Sequence, residues 1–187
     1  MADTKPHTKG SINNLKSIIS NRGVARTNRF EVDLSGMRNV IPGTSDQEIR
    51  DLEVLVTTAS LPTRTLTTFD YGLYRQDTPF VSGYVNSEFS INFTLTQDYF
   101  ARTLFDKWLN QIITKKDYLV TYPNLYKCDI GVRQLANDEE ETIIYKATLK
   151  KCFPKGVSEL SFDAADTGLA TLSVGFLYDD LELPEDS

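Results

Sequence analysis

Apolar and polar residues alternate along several short stretches of the chain, a pattern typical of strands with one buried face. The clearest stretch is "EFSINFTL", in which Phe89, Ile91, Phe93 and Leu95 alternate with polar residues. The other alternating or β-branched segments predicted as strands are Arg29–Leu34, Leu52–Ser60, Cys128–Leu135, Thr142–Phe153 and Ala170–Leu181. The polar segment Gly43–Asp51 is predicted to be a loop, and Ala136–Glu141 an acidic hairpin turn.

Two segments change to helical spacing. "DYFARTLFDKWLNQII", Asp98–Ile113, places its large apolar residues on one wide stripe, which predicts an amphipathic helix with Trp108 in the core. Near the start, Ser11 can cap a short helix that ends at "NRG", Asn21–Gly23. The apolar face of this short helix consists of Ile12, Leu15, Ile18 and Ile19. A helix of this length is unstable alone in water, so its apolar face must dock either on its own domain or on a neighbouring copy.

The stretch "LPTRTLTTFDYGLYRQDTPFVSG", Leu61–Gly83, is rich in threonine and tyrosine and has no helical spacing. We predict an extended hairpin arm over residues 61–87. Long loops of this kind are usually functional or disordered. The alternative is a long surface hairpin that folds back on its own domain.

These elements predict a mainly β (α+β) protein: an antiparallel β-sandwich or barrel with one amphipathic flanking α-helix. The 187 residues are expected to form a single domain, 1–187, with an N-terminal arm and short helix over 1–28 and an acidic C-terminal tail over 179–187. No apolar run approaches the length of a membrane span. The start "MADTKPHTKG" lacks the layout of a secretory signal, which predicts a cytoplasmic protein.

Charge is distributed unevenly along the chain. Up to Arg29 there are six basic residues against the single acid Asp3, a net charge of +5; since the whole chain carries −6, the remainder carries −11. Binding to nucleic acid needs clustered lysines and arginines. The acidic body therefore argues against a nucleic-acid-binding surface and predicts repulsion of DNA.

The sequence offers little catalytic chemistry. Its one histidine, His7, lies in the N-terminal tail, which argues against Ser-His-Asp, Cys-His and most zinc mechanisms. The triplet Asp166–Gly168 matches the "DTG" of aspartic proteases, but it occurs once and in a segment where Asp and Gly are ordinary turn residues. Cys128 and Cys152 lack metal-ligand spacing and are predicted to be buried hydrophobes. We therefore expect no enzyme activity, no cofactor and no metal.

Taken in order, four landmarks resemble the tail tube protein family of contractile-tailed bacteriophages. They are "RGVARTNRFEVDL" (Arg22–Leu34), "TTASLP" (Thr57–Pro62), "LFDKWLNQI" (Leu104–Ile112), and "YKCDIGVRQLANDEEE…LKKCFPKGVSELSFD" (Tyr126–Asp163). The most specific part is "FPKGVSELSFD", Phe153–Asp163. The chain departs from the family in a longer loop over Ser35–Asp51 and in extra residues before Ser11 and after Tyr178.

The resemblance implies a structural virion protein that assembles in the host cytoplasm. Six-membered rings would stack into a tube inside the contractile sheath, with the sheath, baseplate and tape-measure proteins as partners and DNA passing through the lumen without specific binding. The hairpin arm would then reach a neighbouring copy. Candidate interface residues are Thr65, Thr67, Thr68, Phe69, Tyr71, Tyr74 and Phe80 of the arm, and Ile12, Leu15, Ile18 and Ile19 of the short helix. Candidate lumen residues are Glu31, Asp33, Asp138, Glu139, Glu140 and Glu141.

Other functions stay open from the sequence. A tail tube initiator of the baseplate shares the fold, and tubes of type VI secretion systems or contractile bacteriocins are further relatives. A monomeric β-sandwich that binds sugar or peptide would use the tyrosines Tyr71, Tyr74 and Tyr84. Oligomeric state separates these hypotheses, because such binding modules work as monomers.

Overall fold

A computed structural model describes residues 12–72, 77–115, 117–137, 142–160 and 168–184. Within these ranges there are three α-helices: α1 (Ile12–Arg22), α2 (Asp46–Val54) and α3 (Phe100–Ile112). The first five strands are β1 (Phe30–Asp33), β2 (Val56–Ala59), β3 (Arg64–Tyr71), β4 (Thr78–Asn86) and β5 (Phe89–Thr94). The remaining strands are β6 (Cys128–Leu135), β7 (Ile143–Val157), β8 (Thr171–Leu177) and β9 (Asp180–Glu182).

One antiparallel sheet forms the body, in the order β1-β6-β7-β8-β5-β2, and β9 also pairs with β7. The long strand β7 joins the two halves of this sheet. It pairs with β6 and β9 up to Cys152 and with β8 from Phe153 onward, and Lys151 at the changeover has a left-handed φ of 53°. Residues of the edge strands β1 and β2 line one groove together, so the sheet curves into an incomplete barrel. The predicted mainly β, antiparallel fold is confirmed.

The core lies between the sheet and α3. The alternating residues Phe89, Ile91 and Phe93 of β5 are fully buried, as are Leu172, Val174 and Phe176 opposite them on β8. Helix α3 contributes Phe105 and Trp108, whose rings lie 5.2 Å from Phe93 and 6.1 Å from Phe176 respectively, measured between centroids. The Trp108 indole donates a hydrogen bond to the Tyr126 carbonyl at 2.9 Å, which satisfies its buried N–H. The predicted flanking helix and the core role of Trp108 are confirmed.

The structure corrects the prediction of a loop over Gly43–Asp51 followed by a strand over Leu52–Ser60. Helix α2 occupies Asp46–Val54, and only Val56–Ala59 is a strand. The helix begins with a capping box, in which the Ser45 hydroxyl accepts from the Glu48 amide and the Glu48 carboxylate accepts from the Ser45 amide. Ile49 and Leu52 then bury one face of the helix.

A second difference concerns the C-terminal end. The predicted single strand Ala170–Leu181 is divided into β8 and β9, and the chain changes direction at Asp179, whose amide donates to the Lys150 carbonyl. Leu181 is buried and pairs with Leu149 of β7. Residues 180–182 therefore belong to the sheet rather than to an acidic tail.

Candidate assembly surfaces

The predicted arm is a two-stranded antiparallel sheet, β3-β4, whose strands pair only with each other. Every side chain of β3 is exposed, and so is every side chain of β4 except that of Asn86. Near the far end of the hairpin, the Phe80 ring lies 6.0 Å from Phe69 and 6.3 Å from Tyr71. These aromatic side chains thus pack on one another, and none of them belongs to the described core or to the residues packed against it.

Of the seven predicted arm residues, six lie on this exposed hairpin: Thr65, Thr67, Thr68, Phe69 and Tyr71 on β3, and Phe80 on β4. Tyr74 lies outside the described residues. Three further exposed apolar side chains of the hairpin, Leu66, Val81 and Val85, were not predicted, and Tyr84, named above only for the binding-module alternative, is exposed as well. Leu66 lies between two threonines, and Val81, Tyr84 and Val85 flank Ser82 and Gly83, so the available signal was a mixture of apolar, β-branched and small residues without strict alternation. Apolar side chains therefore cover much of the hairpin.

Polar contacts close the base of the hairpin and join it to the body. The Thr63 amide donates to the Ser87 hydroxyl at 2.8 Å, and the Ser87 amide donates to the Thr63 carbonyl at 2.9 Å. The Arg64 guanidinium donates to the Leu181 carbonyl at 3.1 Å, lies 3.9 Å from the Asp180 carboxylate and stacks 4.8 Å from the centre of the Tyr84 ring. One arginine thus connects the hairpin to strand β9.

Helix α1 has the predicted bounds and ends at Gly23, which has a φ of +72°. Its four apolar residues, Ile12, Leu15, Ile18 and Ile19, are all exposed. None of them belongs to the buried core. The first of the two docking alternatives, burial on the same subunit, is not what this structure shows.

Two of the six lumen candidates, Glu31 and Asp33, lie on the outward face of β1, beside Arg133 of β6. Arg133 donates to the Asp33 carboxylate and lies 3.5 Å from that of Glu31. Burial opposes ionisation of Asp33, but hydrogen bonds from Ser35 and the charges of Arg133 and Lys146 outweigh it, so its pKa is lowered. These two carboxylates share one arginine and are therefore partly neutralised. Asp138, Glu139, Glu140 and Glu141 lie outside the described residues.

A further apolar surface follows α3 and was not predicted. A tight turn there is closed by hydrogen bonds between Thr114 and Tyr118 and between Ile112 and Thr121. Its exposed apolar side chains are Ile113, Tyr118, Leu119, Val120, Tyr122 and Leu125. Their spacing follows neither a helix nor a strand, so no periodic signal could have identified them.

The described residues contain no group of three or more His, Cys, Asp or Glu side chains that could hold a metal ion. No helix among them is long and apolar enough to cross a membrane. Cys128 and Cys152 are buried opposite each other on β6 and β7, as predicted. Burial raises the pKa of the Cys128 thiol to about 12 and also raises that of Cys152, so both are protonated and unreactive near neutral pH. Asp166 and His7 lie outside the described ranges.

Comparison with known proteins gives one family match. The sequence model of a family described as "Phage tail tube protein" matches residues 25–182. A comparison with curated proteins found no match. The matched region includes the exposed hairpin and both edge strands of the sheet, whereas helix α1 lies before it.

Several solved structures share the fold at low sequence identity. The cap of the anti-feeding prophage, described as a tube terminating cap, is 17% identical with a TM-score of 0.61 and covers 98% of both chains. The sheath/tube terminator of an extracellular contractile injection system is 16% identical, with a TM-score of 0.61, and covers 86% of this chain and 96% of its own. The sheath-tube complex of the same kind of system gives 15% identity and a TM-score of 0.59, over 93% and 97% of the two chains.

Proposed function

Because the chain belongs to the phage tail tube protein family, we propose that it is a subunit of the tail tube and assembles into stacked six-membered rings. Proteins of this family are structural components of the virion tail, so the chain is a tail structural protein and not an enzyme. Solved structures with its fold come from sheath and tube assemblies. We extend those partners to this chain: a contractile sheath outside, a baseplate below, and a tape-measure protein and DNA within the lumen.

The observation that carries this proposal is the exposed hairpin β3-β4. A two-stranded hairpin is marginally stable alone, and natural proteins cover or blunt exposed apolar strands. Here Phe69, Tyr71 and Phe80 pack on one another, are about half exposed, and are not among the residues of the core or those packed against it. A neighbouring copy is the cover that a repeating assembly supplies. A contact between two different surfaces of identical copies closes into a ring or extends into a filament.

The edges of the main sheet support the ring. Strands β1 and β2 end the sheet, and each pairs with one strand only. An unpaired edge is a template for a further strand. Edge pairing between subunits would continue the sheet around the ring and would place the outward face of β1, with Glu31 and Asp33, on its wall.

The hairpin is tested by shortening it. A variant in which residues 69–78 are replaced by a tight turn should fold, because the core residues lie elsewhere, but should form no tubes. Negative-stain electron microscopy measures assembly, and circular dichroism with size exclusion establishes folding. Tubes of normal width from the shortened protein would contradict the role of the hairpin.

A length-preserving variant separates the apolar contact from the reach of the hairpin. Phe69→Ser with Phe80→Ser removes two half-exposed rings. Burial of the exposed half of each contributes about 1 kcal/mol. The double variant should therefore raise the protein concentration needed for assembly by roughly tenfold or more. An unchanged threshold, measured by sedimentation, would locate the contact elsewhere.

Tube initiators and terminators share this fold, and long-range polymerisation distinguishes them from a tube subunit. The purified protein should give hollow tubes of uniform width across a concentration series. Single rings or monomers that extend only when another tail protein is added would identify the initiator. A protein that stays monomeric with every tail partner would instead favour the monomeric binding module.

A further inference from the structure

Helix α1 carries positive charge and no negative charge. On a helical wheel, Ile12, Leu15 and Ile19 form one stripe, with Lys16 on one side and Arg22 on the other. The rest of the helix is asparagine and serine, apart from Ile18 at the border of the stripe. No Asp or Glu occurs between Asp3 and Glu31. The helix is therefore an apolar stripe with a basic rim.

This helix needs a partner surface. It has 11 residues, and helices shorter than about 12 to 15 residues are marginal in water without tertiary packing. All its described side chains face solvent. The chain after it is held at the body, where the Asn137 side chain donates to the Val24 carbonyl at 2.7 Å. The segment after the helix is thus hydrogen-bonded to the body, while the apolar face of the helix is exposed among the described residues.

The same subunit carries a groove that is lined by acidic instead of basic side chains. It lies between the C-terminal end of α2 and the start of α3, has a volume of about 460 Å³ and exposes 85% of the Val54 side chain. Its lining residues are Glu48, Asp51, Val54, Leu55, Thr96, Asp98 and Phe100. Three of these are carboxylates, and none of the described lining residues is a lysine or arginine. The lining therefore combines apolar side chains with three carboxylates, which we call the acidic rim.

Two of the rim carboxylates, Glu48 and Asp98, are held in the charged form. Hydrogen bonds from the Ser45 amide and hydroxyl to Glu48 lower the pKa of that carboxyl. A hydrogen bond from the Thr96 hydroxyl to Asp98 lowers the pKa of Asp98 in the same way. Both groups are thus ionised near neutral pH. A basic partner would meet these two negative charges, although Lys107 of α3 lies near enough to Glu48 to compensate part of its charge.

From this complementarity we propose that helix α1 of one subunit docks into the α2-α3 groove of a second copy. The apolar stripe covers Val54, Leu55 and Phe100, and Lys16 and Arg22 reach the carboxylates of the rim. The inference rests on the proposed tube assembly, which supplies the second copy. Within one subunit the contact is not made, since both the stripe and Val54 face solvent.

The size of the contact indicates how it works. The helix is roughly 16 Å long, so the contact is smaller than the roughly 1,200 to 2,000 Å² of a standard stable interface. A single docked helix is accordingly weak. In a closed ring or a stack each subunit contributes one docked helix. Each docking event is then intramolecular, so the effective concentration of the helix at the groove is high. The helix then adds to assembly without holding two free subunits together.

Disulfide trapping tests whether helix α1 of a second copy occupies the groove. Ile19→Cys and Val54→Cys are introduced into separate preparations, which are mixed, assembled and oxidised. The native cysteines are buried with raised pKa values and give little background. We expect a covalent dimer of the two variants. Val120→Cys, which replaces a valine that is 66% exposed outside the groove, is the matched control and should not cross-link to Ile19→Cys.

Charge-exchange variants test whether Lys16 contacts the carboxylates of the acidic rim. Lys16→Glu should lower the yield of the cross-link several-fold, and adding Asp51→Lys to the groove partner should restore it. Asp51 lies in the last turns of α2, where a lysine favours the helix dipole, so this variant should fold. Failure of the exchange to restore the yield would overturn the rim contact.

The outcomes separate this inference from the tube itself. Assembled tubes without a cross-link, or a cross-link to Val120→Cys of equal yield, would overturn helix docking and leave the tube proposal intact. A chain carrying both cysteines that closes only within one subunit would show the helix docking on its own body and would overturn the second copy as occupant. A protein that never assembles would overturn both proposals.

Discussion

The carboxylate of Glu53 connects helix α2 to the end of strand β1. It accepts a hydrogen bond of 2.7 Å from the amide of Leu34, a residue with no exposed surface. Burial raises the pKa of Glu53, the nearby charges of Asp33 and Glu31 raise it further, and the Leu34 hydrogen bond opposes the shift. The folded protein therefore holds a proton on Glu53 more tightly than the unfolded chain does.

The raised pKa of Glu53 predicts how the stability of the protein depends on pH at this residue. An acid with a raised pKa contributes stability at low pH that is lost as the pH rises through the folded-state pKa. Glu53→Gln keeps an acceptor for Leu34 and removes the charge. It should be more stable than the wild type near neutral pH by less than about 1 kcal/mol, since the group is partly solvated, and should lose this gain below about pH 4.

Urea unfolding of both proteins across a pH series measures the difference. Glu53→Ala is the matched control, because it removes the acceptor as well and should be destabilised by about 1 kcal/mol at every pH. A wild type more stable than Glu53→Gln at neutral pH would contradict the prediction. In that case the charge would strengthen the bond to Leu34 by more than its burial costs.

At the scale of elements, the direction of the hairpin depends on Arg64. The Thr63–Ser87 hydrogen bonds close the base of the hairpin, and the Arg64 guanidinium joins the hairpin to the body, since it binds the Leu181 carbonyl and lies near Asp180. Strand β9 is itself fixed to the sheet, since Lys150 of β7 lies 3.3 Å from the Glu182 carboxylate. Arg64 thus transmits the orientation of the sheet to the hairpin.

We expect Arg64→Ala to loosen the hairpin without unfolding the body. Spin labels at Thr68 and Lys107 report the distance from the hairpin to α3, and its distribution should broaden in the variant. Arg102→Ala is the matched control. That arginine also binds a backbone carbonyl (Ser158, 3.1 Å) and an aspartate (Asp106, 3.2 Å), and it is similarly exposed. Equal broadening in both variants, or none in Arg64→Ala, would contradict the prediction.

Elements with a clean period could be predicted from the sequence, and elements with mixed signals could not. The alternation in β5 and the stripe of α3 each place one face in the core, so burial and period agree. In α2 the β-branched run after Leu52 favoured a strand. The capping box of Ser45 and Glu48 was the correct local signal, and burial of Ile49 and Leu52 decided the outcome.

Some of the candidate surfaces could likewise be predicted from the sequence, and others could not. The hairpin could be predicted because threonine and tyrosine without helical spacing favour extended chain, and the helix α1 because its stripe is periodic. The groove beside Val54 could not be predicted, since it joins the end of α2 to residues about 45 positions later. Such a site exists only once the sheet has brought the two segments together.

At the scale of the whole molecule, charge on the wall determines how a tube treats DNA. We expect tubes of the wild-type protein to release duplex DNA, and tubes of Glu31→Lys to retain it, because the substitution places a lysine beside Arg133 on the proposed lumen face. Cosedimentation of DNA with assembled tubes measures this at low salt, where screening is weak.

The control for this experiment is Glu159→Lys, which makes the same charge change at an exposed residue outside β1. It reports any DNA bound to other surfaces. Equal retention of DNA by both variants would argue against a position of Glu31 on the lumen wall. Loss of tubes in Glu31→Lys alone would instead place Glu31 in a contact between subunits.

The order of the strands has a consequence for how the protein emerges during synthesis. Strand β1 pairs with β6 and β5 pairs with β8. Much of the sheet therefore cannot form until the ribosome has synthesised residues near 177. The hairpin is complete at Asn86 and needs only its own two strands. At roughly 5 to 20 residues per second, the ribosome makes the intervening segment in about 5 to 20 s. On polysomes, the apolar arms of nascent chains are thus presented side by side before the bodies that carry them have formed.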